Sequence, residues 1–448
     1  MPMPPGFRTR LLPMLEDVAN QFATPFHIYD EAGIRDTVQG LNAAFSGVPW
    51  FREYFAVKAL PNPRILGIMK DLGLGFDCSS IAELVLARRA GARGEDILFT
   101  SNNTSQDEFA AAAADGGCIL NLDDVSLLAK VPRLPELVCF RYNPGAARRG
   151  NAIIGAPEQA KFGVADSQIL DAFRAAQARG ARRFGLHCML ASNERDADAL
   201  VQTVAMLLEL AEAMGRALDI RLDFINMGGG LGIPYRPGDT RFDVPKLGRE
   251  TARLLAGFGA RNAYQPRVFM ESGRYVTGPS GVLVTRAINR KDTYRSYVGV
   301  DACMSALMRP GMYGAYHHVE VLGKPAGPDD RPVDVVGSLC ENNDKFAEQR
   351  PLPPIADGDL LLIHDTGAHG HAMGFDYNGR LRPKELLLRG DGRVELIRRA
   401  QSLDDYFATL DFPPRVVAPQ RRGTPSVRGA ADDATAASRR TLTGTPRG

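Results

Sequence analysis

The feature that most constrains the fold is a repeated alternation of strand-like and helix-like segments between residues 51 and 274. Short apolar runs recur there, each ended by polar or glycine residues, with helical patterns between them. The eight runs are FREYFAVKA from Phe51, GFDCSS from Gly75, DILFTS from Asp96, CILNLDD from Cys118, LVCFRYN from Leu137, RFGLHCML from Arg183, RLDFINMGGG from Arg221 and RVFMESGR from Arg267. Strands that are apolar along their whole length are typical of parallel sheets buried on both faces. Eight strand–helix units in about 225 residues predict an α/β fold, a (β/α)8 TIM-like barrel.

Helix-start signals support the helical half of this pattern. Ser80 with Glu83, and Ser105 with Glu108, have the spacing of capping boxes ahead of helix-like segments. A doubly wound sheet is the alternative architecture for alternating strands and helices, and it commonly has a glycine-rich dinucleotide turn near its start. The GxGxxG pattern of that turn is absent from this sequence, which favours the barrel.

After Arg274 the pattern changes to β-like runs, such as GVLVTRAINRK and KELLLRG, broken by Gly, Pro, Asp and Asn. These runs predict a C-terminal antiparallel β domain. The predicted boundaries are residues 1–34 for an N-terminal segment packing with the β domain, 35–279 for the barrel and 280–415 for the β domain. Residues 416–448 are small, polar and arginine-bearing, and we expect a disordered tail because they cannot bury enough apolar surface.

The composition argues against several classes of protein. The 54 Lys and Arg residues nearly balance the 52 Asp and Glu residues, so no charge excess draws the chain to nucleic acid or to a membrane surface. No apolar run is long enough for a transmembrane helix, and the first residues lack the apolar core of a signal peptide. The six cysteines form no CxxC pair and no HExxH motif is present, so we expect no disulfide framework, no metal site and a cytoplasmic location.

Polar residues follow the strands at the ends where a barrel places its active site. Lys58 follows an apolar strand, and burial would lower the pKa of its amine, leaving a nucleophile that can form a Schiff base with an aldehyde. The alternative is a lysine that extends to solvent. Three glycines at 228–230 could bring backbone N–H groups close to an anion, although such a run also forms plain turns. With Glu271 and Arg274 on the same rim, the set suits a phosphorylated aldehyde such as pyridoxal phosphate.

Nine motifs occur in an order that resembles one known family. They are VKALPNP (57–63), FDCSSIAEL (76–84), FRYNPG (140–145), KFG (161–163), INMGGGLG (225–232), ESGRYVTGPSG (271–281), VDACMSALMRPGMYGAYH (300–317), GSLCENNDKFA (337–347) and GAHGHAMGFDYNG (367–379). The sequence resembles the fold-type-III pyridoxal-phosphate decarboxylases, and diaminopimelate decarboxylase most of all, over about residues 20–410. The resemblance implies an alanine-racemase-like arrangement of barrel and β domain. It also implies pyridoxal 5'-phosphate as the cofactor and a carboxy-lyase that acts on an amino acid.

The resemblance implies roles for the residues that match the family's cofactor site. Lys58 would hold the cofactor as a Schiff base, and Glu271 would face the pyridine nitrogen and keep it protonated. The other cofactor-binding residues would be Asp77, Arg141, Ser192, Gly229, Gly230, Ser272, Gly273, Arg274 and His369. Among these, the two glycines and the backbone of residues 272–274 would bind the phosphate.

The resemblance also implies how the substrate is held and protonated. Cys340 would be the acid that returns a proton to the substrate carbon after CO2 leaves. In this family Cys340 and Glu341 reach the neighbouring subunit's site, which implies a homodimer with shared active sites. The substrate-binding residues would be Arg274, Arg309, Tyr313, Glu341 and His369.

Three residues depart from the family pattern. Met189 stands where the family has a histidine that stacks on the cofactor ring, and a thioether can still pack against an aromatic face. His369 replaces a tyrosine that touches phosphate and substrate, and we expect it to be partly positive near pH 7. Asn342 replaces a serine beside the distal end of the substrate. Two of the three changes touch substrate contacts.

The reaction implied first is decarboxylation of meso-2,6-diaminopimelate to L-lysine, a step of lysine biosynthesis. The departures leave room for a related decarboxylase of D-lysine, of D-ornithine or of a siderophore intermediate such as citryl-diaminopropionate. Arg309 favours a substrate with a distal anion. A racemase would lack the CEN motif, and a non-catalytic cofactor-binding protein would end near the barrel or lose Lys58 or Cys340, which are both present here.

Overall fold

A computed structural model describes residues 3–148 and 155–410 of the chain. Residues Met1–Tyr406 belong to one compact unit, and Phe407–Gly448 form a second unit of which only residues 407–410 are described. The tail predicted for residues 416–448 lies outside the described residues. Within the described part of the chain, no helix is long and apolar enough to cross a membrane.

The chain enters the fold through two helices, α1 (Pro5–Leu11) and α2 (Leu15–Phe22), and a strand, β1 (Phe26–Asp30). The barrel strands are β2 (Phe51–Ala56), β3 (Gly75–Cys78), β4 (Gly94–Ser101), β5 (Cys118–Leu122), β6 (Leu137–Asn143), β8 (Arg183–His187), β9 (Leu222–Asn226) and β10 (Arg267–Met270). The short strand β7 (Val164–Ala165) pairs with the end of β6. All eight barrel strands coincide with the eight runs predicted from the sequence.

These eight strands are parallel and close into a barrel. The pairing order is β5-β4-β3-β2-β10-β9-β8-β6, and β5 also pairs with β6 to complete the ring. Interior side chains such as Tyr54, Leu98, Phe224 and Phe269 form one apolar cluster. A barrel filled in this way is a packed core, so the space for chemistry lies at its carboxyl-terminal face. The predicted barrel is therefore confirmed.

A helix connects each barrel strand to the next in the chain, except between β5 and β6. The helices around the barrel are α3 (Glu31–Ala44), which precedes β2, α4 (Pro63–Asp71), α5 (Ile81–Arg89), α6 (Gln106–Ala113), α7 (Asp166–Ala178), α8 (Ala197–Leu218) and α9 (Val244–Asn262). Between β5 and β6 the chain makes only a 3-10 turn, Val125–Lys130, because Pro132 and Pro135 prevent a longer helix before β6.

Both predicted helix-start signals are present in the structure. Ser105 and Glu108 form a complete capping box. At the other site Ser80 accepts from the N–H of Glu83, while the Glu83 carboxylate accepts from Ser79 instead of Ser80.

The remaining strands form a second sheet. They are β11 (Gly281–Asp292), β12 (Ser296–Val300), β13 (Val319–Val321), β14 (Arg331–Val336), β15 (Lys345–Leu352), β16 (Leu360–Ile363), β17 (Lys384–Leu388) and β18 (Val394–Arg398). Three short helices, α10 (Arg274–Thr277), α11 (Arg309–Tyr313) and α12 (Leu403–Phe407), complete the described elements. The order is β15-β14-β12-β11-β1-β17-β18, with β16 paired to β11 and β13 paired to β16.

This second sheet confirms the predicted β domain, but it is mixed, not wholly antiparallel. β1 lies between β11, to which it is antiparallel, and β17, to which it is parallel. β12 and β14 are also parallel neighbours. The N-terminal helices cover this part of the sheet, since Phe7 and Leu11 share an apolar cluster with Val282, Leu360 and Leu386.

Candidate active site

A cavity of about 450 Å³ opens at the carboxyl ends of the barrel strands. Residues from the barrel and from the β domain both line it. The predicted site residues that it brings together are Lys58, Ser192, Gly230, Glu271, Ser272, Gly273, Arg274, Arg309, Tyr313 and His369. The volume lies in the range of small-molecule sites.

Lys58 lies on a 3-10 turn, Val57–Ala59, that directly follows β2. Its Nζ is 3.2 Å from Oδ2 of Asp77 at the end of β3, and its side chain is 52% exposed toward the open cavity. The prediction that burial would lower the pKa of Lys58 is wrong. The Asp77 charge raises the pKa of Lys58 and outweighs desolvation, and Glu271 raises it further. The amine is thus held as an ammonium beside a carboxylate.

Glu271 follows β10 and is held by the two preceding strands of the barrel. Its Oε1 accepts from Nδ2 of Asn226 at 2.7 Å, and its Oε2 is 3.2 Å from Nε2 of His187. Burial alone would raise the pKa of Glu271, but His187, Lys58 and Asn226 together lower it to about 2. This carboxylate therefore stays ionised and can hold a proton on a basic nitrogen placed opposite it.

The glycine run lets the backbone approach its neighbours more closely than a side chain permits. A Cβ on Gly229 would lie 2.1 Å from the carbonyl oxygen of Glu271, and Gly230 has a left-handed φ of +98°. Gly230 lines the cavity, whereas the N–H of Gly229 donates to Sδ of Met189 at 3.2 Å. Met189 also lines the cavity, so the thioether contacts the glycine run at the position where the family has histidine.

His369 lies in the cavity wall with a left-handed φ of +56°, and its backbone N–H donates to the carbonyl of Ala59 at 2.9 Å. Burial lowers the pKa of His369 well below its usual value, and the charges of Arg274, Arg309 and Lys58 lower it further. The expectation of a partly positive imidazole near pH 7 is therefore wrong for this structure. His369 can offer one N–H donor as a neutral ring.

Two predicted cofactor-binding residues, Asp77 and Arg141, lie beside the cavity and do not line it. Nη1 of Arg141 is 3.5 Å from Oδ1 of Asp123, and its guanidinium lies 4.4 Å from the centre of the Phe162 ring. Arg141 and Met189 share a small neighbouring pocket. Asp77 reaches the cavity only through its contact with Lys58.

Cys340 and Glu341 lie outside the cavity of their own chain. Both are exposed. The backbone N–H of Cys340 donates to Oδ1 of Asn378 at 2.7 Å, and Oε1 of Glu341 accepts from the N–H of Asn343 at 3.0 Å. The exposed Asn342 directly follows Glu341 in the chain. One chain therefore presents the amine and the predicted acid on separate parts of its surface.

The sequence analysis missed Tyr235. Its side chain is buried and lines the cavity, and its hydroxyl oxygen accepts hydrogen bonds from Nη1 of Arg274 at 2.5 Å and Nη1 of Arg309 at 2.6 Å. The signal available was an aromatic residue five positions after Gly230, in the loop that follows a barrel strand. Polar residues in such loops commonly form the site.

The site contains the groups that pyridoxal phosphate requires. Its aldehyde needs an amine, which is Lys58, and its ring nitrogen needs an ionised carboxylate, which is Glu271. Its phosphate needs donors, and Oγ of Ser272 is buried without a hydrogen-bond partner beside the cavity that Gly230 and Gly273 line. Among the described residues no cluster of three or more His, Cys, Asp or Glu could hold a metal ion.

Comparison with known proteins agrees with this donor set. The family described as "Pyridoxal-dependent decarboxylase, pyridoxal binding domain" matches residues 34–278. Protein TabA of Pseudomonas amygdali pv. tabaci is 48% identical over 417 residues, covering 92% of this chain and 97% of TabA. Diaminopimelate decarboxylase of Methanothermobacter thermautotrophicus is 34% identical over 411 residues, covering 90% of this chain and 95% of that enzyme. The crystal structure of diaminopimelate decarboxylase from M. jannaschii in complex with L-lysine has a TM-score of 0.81 at 27% identity, covering 88% of this chain and 93% of that one.

Proposed function

This chain belongs to the pyridoxal-dependent decarboxylase family, and from that membership we propose that it converts meso-2,6-diaminopimelate to L-lysine and CO2. It is a pyridoxal-phosphate-dependent amino-acid decarboxylase, a carboxy-lyase. The choice of substrate rests on the distal end of the cavity, where Arg274 and Arg309 converge without an acidic partner. Diaminopimelate presents a carboxylate there, whereas D-lysine and D-ornithine present only an ammonium group.

When bound, pyridoxal phosphate supplies a conjugated ring that takes up the electron pair released as the carboxyl group leaves. Lys58 anchors the cofactor through Nζ. The Glu271 carboxylate holds the proton on the ring nitrogen, and its own low pKa of about 2 keeps it ionised for that task. Gly230, Gly273 and Oγ of Ser272 would hold the phosphate, and the Met189 thioether, which lines the same cavity, would pack on the ring.

At the other end of the site, Arg309 and Arg274 hold the distal carboxylate of the substrate, which is unchanged in the reaction. Tyr313 is half exposed at the same end of the cavity. Cys340 and Glu341 of a second copy of the chain complete the site in a homodimer. Sγ of Cys340 gives a proton to the carbon that has lost CO2, and Glu341 contacts the distal ammonium group.

Because TabA is 48% identical to this chain and the diaminopimelate decarboxylase of Methanothermobacter thermautotrophicus is 34% identical, substrate choice is tested directly. The assay is CO2 release from meso-diaminopimelate, D- and L-lysine, D- and L-ornithine, and citryl-diaminopropionate. We expect kcat/KM for diaminopimelate to exceed every other value by more than about tenfold, equal to roughly 1.4 kcal/mol of transition-state binding. If kcat/KM for another compound exceeds that for diaminopimelate by tenfold, that compound is the substrate and the proposal is wrong.

A further inference from the structure

Three elements of the fold meet at one hydroxyl group. Tyr235 lies in the loop after β9, Arg274 begins α10 and Arg309 begins α11. Both arginines donate to the Tyr235 oxygen, at 2.5 and 2.6 Å, and their guanidinium carbons lie 5.8 and 4.9 Å from the centre of its ring. One hydroxyl group thus holds the two guanidinium groups side by side at the distal end of the cavity.

Neither arginine is neutralised by the part of the chain that the structure describes. Among the described residues no carboxylate forms an ion pair with either arginine: Arg274 donates to Tyr235 and to Oγ of Ser192, and the 5% exposed Arg309 donates to Tyr235. Desolvation lowers the pKa of Arg309, and the neighbouring charge of Arg274 also lowers it, while Tyr235 opposes both. Two like charges held together without a counter-ion favour the binding of an anion from outside.

The groups around this pair do not supply the missing negative charge. The His317 ring packs against Tyr235 at 5.1 Å, and burial lowers the pKa of His317 to about 3, so it is neutral. Asp365 is buried, and burial raises its pKa well above the usual value, while the charge of Arg309 opposes that rise. Burial thus disfavours a negative charge on Asp365, and the two guanidinium groups line the cavity.

The hydrogen-bond donors around Tyr235 determine which ligand groups can bind at the distal end of the cavity. Its oxygen accepts two N–H groups, which leaves the phenolic O–H as a donor, and no acceptor for it occurs among the described residues. The distal end thus offers two guanidinium groups and one hydroxyl, all of them donors. A carboxylate accepts from such a set, whereas an ammonium group finds no acceptor in it.

We propose that Tyr235 determines specificity by making Arg274 and Arg309 a donor-only receptor for the distal carboxylate of the substrate. This inference deepens the diaminopimelate proposal and rests on it for the identity of the substrate. Tyr235 acts as a positioning residue for the two arginines and adds one donor of its own.

The test uses the holoenzyme and pimelate, a seven-carbon dicarboxylate without amino groups, in a calorimetric titration. We expect Tyr235→Phe to weaken pimelate binding about tenfold, because one hydrogen bond to a charged group is lost and the arginines lose their common acceptor. The matched control is Tyr264→Phe, which removes a hydroxyl that accepts from the N–H of Leu222 at the barrel's periphery. This control should bind pimelate as the wild type does.

A second probe separates specificity from damage to the fold. Pentylamine has an amine but no distal carboxylate, and its affinity, read from the cofactor absorbance, should be equal in wild type and Tyr235→Phe. With diaminopimelate, KM should rise about tenfold while kcat stays within about twofold. Unchanged pimelate binding, or an equal loss for pentylamine, would overturn the assignment of Tyr235.

The two proposals can fail separately. If pimelate binding depends on Tyr235 but no CO2 is released from diaminopimelate, the proposed role of Tyr235 is supported and the proposed substrate is wrong. If diaminopimelate is decarboxylated while pimelate binds equally to wild type and Tyr235→Phe, the proposed substrate is supported and the proposed role of Tyr235 is wrong.

Discussion

Lys58 lies beside a carboxylate that is 19 residues away in the sequence, and this contact decides its charge. The apolar run before Lys58 correctly indicated a buried strand. That run gave no indication of Asp77, because Lys58 and Asp77 come into contact only when β2 and β3 pair in the barrel. Residue types and strand ends can thus be predicted from sequence, whereas the sign of a pKa shift depends on neighbours that the fold assembles.

Replacing the proposed anchor tests the centre of the site. Lys58→Ala should give a colourless protein on purification and lower CO2 release by at least about a hundredfold, because no amine remains to hold the cofactor. Absorbance spectra and CO2 assays measure both effects. Lys130→Ala, an exposed lysine on the turn between β5 and β6, is the control and should stay coloured and active. A coloured, active Lys58→Ala protein would assign the anchor to another amine.

The contacts of Tyr235 could not be predicted from the sequence either, because the fold brings its partners together. The sequence analysis found Arg274 and Arg309 through motifs, but their common acceptor comes from a third segment. No spacing relates residues 235, 274 and 309, so only the fold reveals that they form one group. The error for His369 has a related cause, since its pKa is set by burial and by three cations from other segments.

At the scale of elements, β17 carries a buried carboxylate that joins four segments. Glu385 is 1% exposed; its Oε1 accepts from the Tyr29 hydroxyl at 2.6 Å, and its Oε2 accepts from Nδ2 of Asn62 at 3.0 Å and from Nε of Arg398. Tyr29 belongs to β1, Asn62 caps α4 just after Lys58, and Arg398 ends β18. This one side chain therefore ties the second sheet to the turn that carries the lysine.

Glu385 predicts a pH-dependent contribution to stability. Burial alone would raise its pKa, but His371, Arg398 and Tyr29 together lower it to about 2. A carboxylate with a lowered pKa stabilises the fold above the usual value of 4.5, and this stabilisation is lost as pH falls toward 2. Glu385→Gln should therefore lower the free energy of unfolding at pH 7 by about 3 kcal/mol.

The measurement is urea unfolding of wild type and variant between pH 7 and pH 3. The difference between them should shrink as pH falls below about 4.5, because Glu385 takes up a proton there in the unfolded chain, whereas in the folded chain it does so only near pH 2. Glu348→Gln is the control, because Glu348 is 61% exposed and its ion pairs among the described residues are the surface contacts with Arg295 and Lys345. It should change the free energy of unfolding by less than about 0.5 kcal/mol. A difference for Glu385→Gln that is constant with pH would contradict the assigned charge.

Elements were predictable where a local pattern determines them. The eight barrel strands follow from runs of six to ten residues, and both capping serines follow from spans of four. The 3-10 turn before β6 follows from Pro132 and Pro135, which the sequence analysis did not use. The insertion of β1 between β11 and β17 has no local signal, because its partners lie at residues 281–284 and 384–388. Strand order across such separations is decided by tertiary packing.

At the scale of the whole molecule, the exposed position of Cys340 predicts complementation between inactive chains. In a homodimer with shared sites, Lys58→Ala and Cys340→Ala chains together rebuild one intact site per heterodimer. Random mixing gives heterodimers as half of the population, so about a quarter of wild-type activity should return. The assay is CO2 release after co-expression or after mixing and refolding, with each single variant measured alone.

The control for that experiment is Lys58→Ala mixed with a chain carrying both substitutions, which can rebuild no complete site. It should recover nothing. If the first mixture also recovers nothing while its chains form dimers, each site takes its acid from its own chain. Gel filtration of the mixtures supplies the oligomeric state.

The place of β1 in the second sheet has a consequence for how the chain is made. Translation releases helices α1 and α2 and β1 before the barrel, and one strand that flanks β1 leaves the ribosome only when residues 384–388 have been synthesised. The barrel strands are synthesised in between. During that time Phe7 and Leu11 lack their packing partners Leu360 and Leu386 and remain exposed to solvent. A nascent chain that stalls before residue 384 therefore leaves the apolar faces of α1 and α2 partly exposed even when its barrel is complete.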